Sequence, residues 1–300
     1  MKSKRLLLLL LFCQIASASP WMTGPLLAPA GRTVPVGHVN FEPYGFYTLY
    51  PHQFRNVEVT PVLTTGVTSF IDVQASLPLD ISWDRGQRGS GIGDTNLGFG
   101  VQILRQKENS WLPDLRIVVQ EVFPTGKYQD LNPTHLGTDQ TGAGSYQTFV
   151  GFNFQRLSEF SNEHYLRTRF SFVAATENLV HVHGFNVYGG SATTNGIVRP
   201  DNSYSADLAF EYALTQNWVG VFEGLYVNSG SSRFTGNPGF TPGGTVSGIG
   251  GGGSNQGSLA PAIEYNFSAQ LGLIFGVWFS VTGPQAGQFV ANSLALNWYF

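Results

Sequence analysis

Hydrophobic and polar residues alternate with a period of two through most of this chain. In 271–282, Leu271, Leu273, Phe275, Val277, Phe279 and Val281 fall on one face, and Gly272, Ile274, Gly276, Trp278, Ser280 and Thr282 on the other. In 71–83, Ile71, Val73, Ala75, Leu77, Leu79, Ile81 and Trp83 alternate with Asp72, Gln74, Ser76, Pro78, Asp80 and Ser82. The same rhythm runs through 94–104 and 204–212. A repeat of two belongs to strands, whose successive side chains point to opposite faces. It predicts twelve strands, at roughly 37–49, 55–66, 69–83, 92–106, 112–124, 143–157, 163–176, 203–214, 217–229, 255–267, 270–282 and 287–300. The connections after even-numbered strands are short: 67–68, 107–111, 158–162, 215–216 and 268–269. Those after odd-numbered strands are mostly longer: 50–54, 84–91, 125–142, 177–202, 230–254 and 283–286.

One face stays apolar through all twelve segments, while the other carries charges of both signs. A soluble sandwich would bury its apolar face and protect its edges with charge. Short turns at one end and long loops at the other mark a barrel that crosses a membrane. The expected fold is therefore all-β, a transmembrane antiparallel up-and-down β-barrel of about 12 strands over 37–300, with 19–36 as a short periplasmic segment and no plug. No segment after the first twenty residues has 18 consecutive apolar residues, which leaves strands as the means of crossing.

The last strand sharpens this picture. Leu294, Leu296, Trp298 and Phe300 share a face, and ending on Phe after an alternating strand resembles the terminal signature of bacterial outer-membrane β-barrels, from which recognition of Phe300 by their barrel assembly machinery is expected. Trp218, Phe267, Trp298 and Phe300 fall near one end of their strands, and Tyr47, Trp83, Phe123, Tyr146 and Tyr226 near the other, as expected for girdles at two lipid interfaces. Lys2, Lys4 and Arg5, the apolar run from Leu6 to Phe12, and Ala16-Ser17-Ala18 read as a secretory signal peptide over 1–18, cleaved on export. The only cysteine, Cys13, lies inside it, so no disulfide or thiolate metal site is expected.

Composition agrees with a membrane wall. Charged residues make up 12% of the chain and aromatics 14%, against about 25% charged in an ordinary soluble domain. Without the three basic residues of the signal, 13 Lys and Arg face 19 Asp and Glu, a net charge near −6. No basic patch is present, so no nucleic-acid partner is expected.

Alternation places one set of charges inside the barrel: Glu42, Glu58, Asp72, Asp80, Asp94, Arg116, Arg167, Arg169, Asp207, Glu211 and Glu264. They either pair and brace the lumen or line a path and select solutes. Twelve strands lie between a packed interior and an open aqueous pore. Strand 217–229 is ambiguous, and an unpaired carboxylate in lipid is costly, so Glu223 is placed inward. Pro43, Pro61, Pro78 and Pro261 lie within strands, and each implies a bulge or an unpaired acceptor, or a wall that opens sideways. An enzyme is not expected, because no histidine lies on an outward face beside a serine. His181-Val182-His183 is a weak metal motif, and no metal or cofactor is expected. Gly248 and Gly250 to Gly253 lack the strand-to-helix context of a phosphate cradle.

Segment 91–101, Gly91-Ile92-Gly93-Asp94-Thr95-Asn96-Leu97-Gly98-Phe99-Gly100-Val101, brings a G-x-G-D run into a strand with small inner residues. With Leu77-Pro78-Leu79 upstream, Phe123-Pro124-Thr125-Gly126 downstream and the terminal Phe300, it resembles the outer-membrane transporter family associated with the meta-cleavage pathway of phenol degradation. That resemblance implies an outer-membrane barrel of a Gram-negative bacterium that admits apolar or aromatic compounds, and it supplies no catalytic residues. The expected function is porin-like, passive uptake of small solutes. The alternative is a surface structural or adhesive barrel with a filled lumen and loops that bind a partner.

Overall fold

A computed structural model describes residues 21–108, 110–160, 164–283 and 287–300. The predicted signal peptide over 1–18 lies outside the described residues. The described chain contains the strands β1 (Val39–Leu49), β2 (Arg55–Thr68), β3 (Ile71–Ser76), β4 (Leu79–Asp84), β5 (Gln87–Ile92), β6 (Thr95–Leu104), β7 (Asp114–Phe123), β8 (Gln147–Phe160), β9 (His164–Glu177), β10 (Val180–His183), β11 (Asn195–Arg199), β12 (Ser203–Ala213), β13 (Trp218–Ser229), β14 (Arg233–Asn237), β15 (Ser254–Ser268), β16 (Leu271–Thr282) and β17 (Val290–Tyr299). Fourteen of them form one antiparallel sheet that closes where β1 meets both β17 and β2. β3 with β4, and β5 with β6, each make one wall strand interrupted near its middle, so the barrel has twelve staves. Val39 and Phe300 exchange both backbone hydrogen bonds, at 2.7 and 2.9 Å, and seal the last stave to the first.

The wall is inverted relative to a soluble protein. Phe222, Phe275 and Leu294 are about half exposed on its outside, while Asp72, Glu211, Glu223 and Glu264 are buried inside. Trp218, Phe267, Trp298 and Phe300 are exposed at the short-turn end, and Phe123, Tyr146 and Tyr226 at the long-loop end. Glu121 points outward, and it accepts a 2.6 Å hydrogen bond from Thr148 Oγ1 on the neighbouring strand.

Pro43, Pro61 and Pro261 each leave a gap in one ladder and spare the other, and Pro78 sits in a break of both. The β1–β17 register skips from Phe41↔Trp298 to Tyr44↔Ala295 around Pro43. The β15–β16 register skips from Leu259↔Phe279 to Ala262↔Gly276 around Pro261. Pro61 stands opposite Pro43 and beside the Leu77–Pro78 break, where β2 changes partner from β3 to β4. The missing N–H of proline accounts for each gap.

Two expectations about the loops need correction. Segment 84–91 is not a loop: β4 and β5 pair down to Asp84↔Gln87 across a tight turn, with Arg85 and Gly86 at positive φ. Gly86 takes that conformation at no steric cost. The connections 178–202 and 230–253 contain β10, β11 and β14, which form a separate three-stranded sheet. Val180, Val182 and Val198 pack there under Tyr128, Tyr188, Phe234 and Ile249, so the long loops share a small apolar core.

An outward charge tests this wall. Phe275→Arg is expected to lower the unfolding free energy in bilayers by about 2–4 kcal/mol. Urea titration of the protein in lipid vesicles reads it, and a change below about 0.5 kcal/mol would show that this face does not meet hydrocarbon.

Candidate functional site

The site is the lumen, and its most consequential occupant is the segment 21–34. Rich in proline and glycine, it has no strand partner along its length. Pro25 and Pro29 carry no N–H, and most of the remaining amides donate to side chains of the wall. Thr23 N reaches Glu264 Oε1 at 2.6 Å. Leu26, Leu27 and Ala28 donate to the Glu223 carboxylate at 2.5, 2.9 and 2.9 Å. Gly31 donates to Gln155 at 3.3 Å, Thr33 to Gln102 at 2.8 Å and Val34 to Asp72 at 3.0 Å. Arg32 Nε is 2.7 Å from Asp114 Oδ2. The contacts pass from β15 through β13, β8, β7 and β6 to β3, so the segment forms a belt around the inner wall at the short-turn end. The expectation that nothing plugs the barrel is thus corrected: residues 21–34, placed outside the barrel by the sequence reading, lie within it. The physical reason is mutual satisfaction. Buried carboxylates need donors, and an extended chain without a ladder has amides to give.

Apolar contact adds to this anchoring. Leu26 lies in a buried cluster with Val219, Val221, Ala260, Ile274 and Ala295, and Met22 and Leu27 pack against it. Gly276 makes room, since a Cβ there would lie 2.6 Å from Leu26 Cδ1.

The arginines brace the wall and the belt together. Arg116 Nη2 is 2.7 Å from Asp72 Oδ1, both groups buried. Arg167 pairs with Glu211 through Nε and Nη2 and donates from Nη1 to Met22 O at 3.0 Å. Arg169 Nε lies 3.4 Å from Glu211 Oε2, and its Nη1 donates to Ala28 O at 3.1 Å. Glu211 is thus fully buried between two guanidiniums.

Above the belt lies a chamber of about 470 Å³. The belt residues Pro25 to Ala30 form its floor, and Glu42, Tyr44, Phe46, Glu58 and Asp207 are among its walls. Closer to the long loops is a vestibule of about 670 Å³, whose lining includes Tyr50, Phe54, Glu58, Asp80, Asp94 and Glu177. Glu58 lines both cavities, which adjoin there. Asp94 accepts from Gly126 N at 2.9 Å and Ala143 N at 2.7 Å, so it ties the break between β5 and β6 to the loop 124–146. In the vestibule, burial and the nearby Glu177 charge push the Tyr188 phenol up to about 12, so it stays a donor, here to Ala143 O at 2.8 Å.

All eleven charged residues placed inside from the sequence do point inward, but they serve two ends. Asp72, Arg116, Arg167, Arg169, Glu211 and Glu264 hold one another or the belt. Glu42, Glu58, Asp80, Asp94 and Asp207 form no ion pair among the described residues. Sequence reasoning missed the anchoring roles of Glu223, Asp114, Gln102 and Gln155, although it placed Glu223 inward. The excess of inward acids over arginines was the available signal that further donors had to come from elsewhere. His181 and His183 lie on one exposed face of β10, where His183 Nδ1 sits 3.0 Å from Asp130 Oδ1. Among the described residues no cluster of three metal-ligating side chains occurs.

No family model matches the chain, and no curated protein matches it. Among solved structures it is similar to an outer membrane channel from Pseudomonas putida F1, at 14% identity and a TM-score of 0.66, covering 93% of this chain and 100% of that one. The fold is that of an outer-membrane β-barrel. More distant matches include the translocator domain of the autotransporter NalP from Neisseria meningitidis, at 9% identity, a TM-score of 0.45 and 88% of each chain covered. The NanC porin matches at 9% identity and a TM-score of 0.43, over 86% of this chain and 98% of that one.

Glu223 should govern how firmly the belt is held. With Ala28→Cys as a reporter, Glu223→Gln is expected to speed labelling by a bulky maleimide at least about tenfold, since one acceptor of three buried amides becomes a donor. Equal labelling rates in folded protein would show that the carboxylate does not hold the belt.

Proposed function

We propose that this protein is an outer-membrane channel through which small solutes, apolar or aromatic ones among them, diffuse passively. The observation that carries this reading is a pair of cavities in the lumen, vestibule and chamber, that adjoin at Glu58. A surface barrel that only displays loops needs no such cavity, and the belt occupies one end of the lumen rather than all of it. The lipid-facing wall, the resemblance at Gly91 to Val101 and the barrel fold shared with a solved outer membrane channel support the same reading. In this reading the signal at 1–18 directs export, Phe300 is read by the assembly machinery, and the loop sheet of β10, β11 and β14 frames the outer mouth.

The belt makes the pore narrow, and its position predicts how conductance responds. Purified protein in planar bilayers should give small discrete currents in KCl. Deleting 21–34 should raise them several-fold, because the floor of the chamber is then gone. Neither current in bilayers nor solute flux into liposomes, from protein that migrates as a folded barrel, would overturn the channel reading.

A further inference from the structure

The interior surface from vestibule to chamber combines two features that recognise one kind of solute. The first is a run of aromatic rings. Phe54 touches Tyr50 with ring centroids 5.6 Å apart, and Tyr50 touches Phe289 at 6.4 Å. Phe289 touches Trp278 at 4.8 Å, Trp278 touches Phe46 at 6.1 Å, and Phe46 stacks on Tyr44 at 6.2 Å with the rings 2° from parallel. Tyr50 and Phe54 line the vestibule, and Phe46 and Tyr44 line the chamber, so the series spans both cavities.

The second feature is a set of carboxylates that form no ion pair among the described residues. Phe46 stands directly across from Glu58, and Glu58 directly across from Asp80 on the next strand. Like charges opposite one another in a sheet repel, yet among the described residues no lysine, arginine or histidine pairs with either carboxylate. Deeper in, Asp207 is 4% exposed and lines the chamber, and its Oδ1 has no hydrogen-bond partner. A buried, unpartnered carboxylate oxygen facing a cavity is costly unless something fills the cavity and answers it. Three arginines line the chamber, and among the described residues each forms its ion pair with another acid: Arg32 with Asp114, Arg116 with Asp72 and Arg169 with Glu211.

We propose that this path takes small organic cations that carry an aromatic or apolar group, with the rings receiving the apolar part and Glu58, Asp80 and Asp207 receiving the charge. This deepens the channel reading and rests on it. Aromatic faces attract cations through their quadrupoles, and carboxylates in a narrow, poorly hydrated lumen add long-range attraction. A neutral aromatic compound meets only the rings, and an aromatic anion is repelled at Glu58. Conduction also requires that no site hold the solute too tightly, and a series of weak stations meets that condition.

The test uses the full mature protein in planar bilayers and proteoliposomes, with benzyltrimethylammonium as the cationic probe and benzenesulfonate as an anion of similar size. Benzyltrimethylammonium is expected to permeate at least about ten times as readily as chloride and as benzenesulfonate, and Asp207→Asn with Glu58→Gln should bring both ratios close to one. Phe46→Ala should reduce the advantage of benzyltrimethylammonium over tetramethylammonium about threefold while leaving the potassium-to-chloride ratio alone. If the double variant does not reach the folded, heat-modifiable form, Asp80→Asn at the vestibule serves in its place. A channel that conducts KCl but prefers benzenesulfonate, or whose cation preference survives these substitutions, overturns the cation proposal and leaves the channel standing. Absence of KCl conductance in the unaltered protein overturns the channel itself.

Discussion

The structure depends on one constraint: the wall is a single strand thick, with hydrocarbon on one side. A polar group on an inward side chain therefore has no partner behind it and little water in front of it. It must find its partner across the lumen, in a neighbouring stave, or in whatever occupies the interior. The belt is the main consequence. Its amides and the carboxylates of Glu223, Glu264 and Asp72 would each be costly alone in this interior, and each finds partners in the other. Proline at Pro25 and Pro29 fits the same logic, since a residue without an N–H asks nothing of the wall.

Bracing by arginine follows from geometry as much as charge. Arg167 and Arg169 leave the same face of β9, two residues apart, and converge on Glu211 of the adjacent strand. Each also hydrogen-bonds a belt carbonyl, Met22 O and Ala28 O. One guanidinium thus satisfies an acceptor on the wall and an acceptor on the belt at once, which its planar fork of donors permits. Removing Glu211 would leave two buried cations facing each other, so it is a keystone of the lumen rather than a selectivity residue.

The barrel was legible from the sequence because lipid enforces a period of two on every stave, and a period can be counted. The prolines were legible for the same reason: a residue without an N–H must interrupt a ladder, and Pro43, Pro61, Pro78 and Pro261 all do. The belt was not legible. It has no period, and its partners lie far away in sequence, with Leu26 and Glu223 separated by 197 positions. Nor was the hairpin of β4 and β5, because Gly86, Gly89 and Gly91 read as loop residues. There, glycine admits close neighbours instead. A Cβ on Gly89 would collide with the Thr138 carbonyl, so the loop 124–146 can lie against the sheet edge where β7 has already ended.

Once the belt is in place, the inward acids divide by what they can still do. Glu211, Asp72 and Asp114 pair with arginines, and Glu223 and Glu264 accept from the amides of the belt. Glu42, Glu58 and Asp207 keep their carboxylates facing the chamber: Glu42 takes only neutral donors, from Asn297 and Tyr44, and Glu58 one from Thr60. Neutral donors stabilise a carboxylate without cancelling its field. The inner face carries more acids than arginines, so some acids are left over once the belt and the arginines have taken their partners. A belt built from lysine and arginine side chains could have anchored itself to the same wall while neutralising it. This one is anchored mainly through backbone amides, which hold the carboxylates in place and leave the charge of the lumen intact.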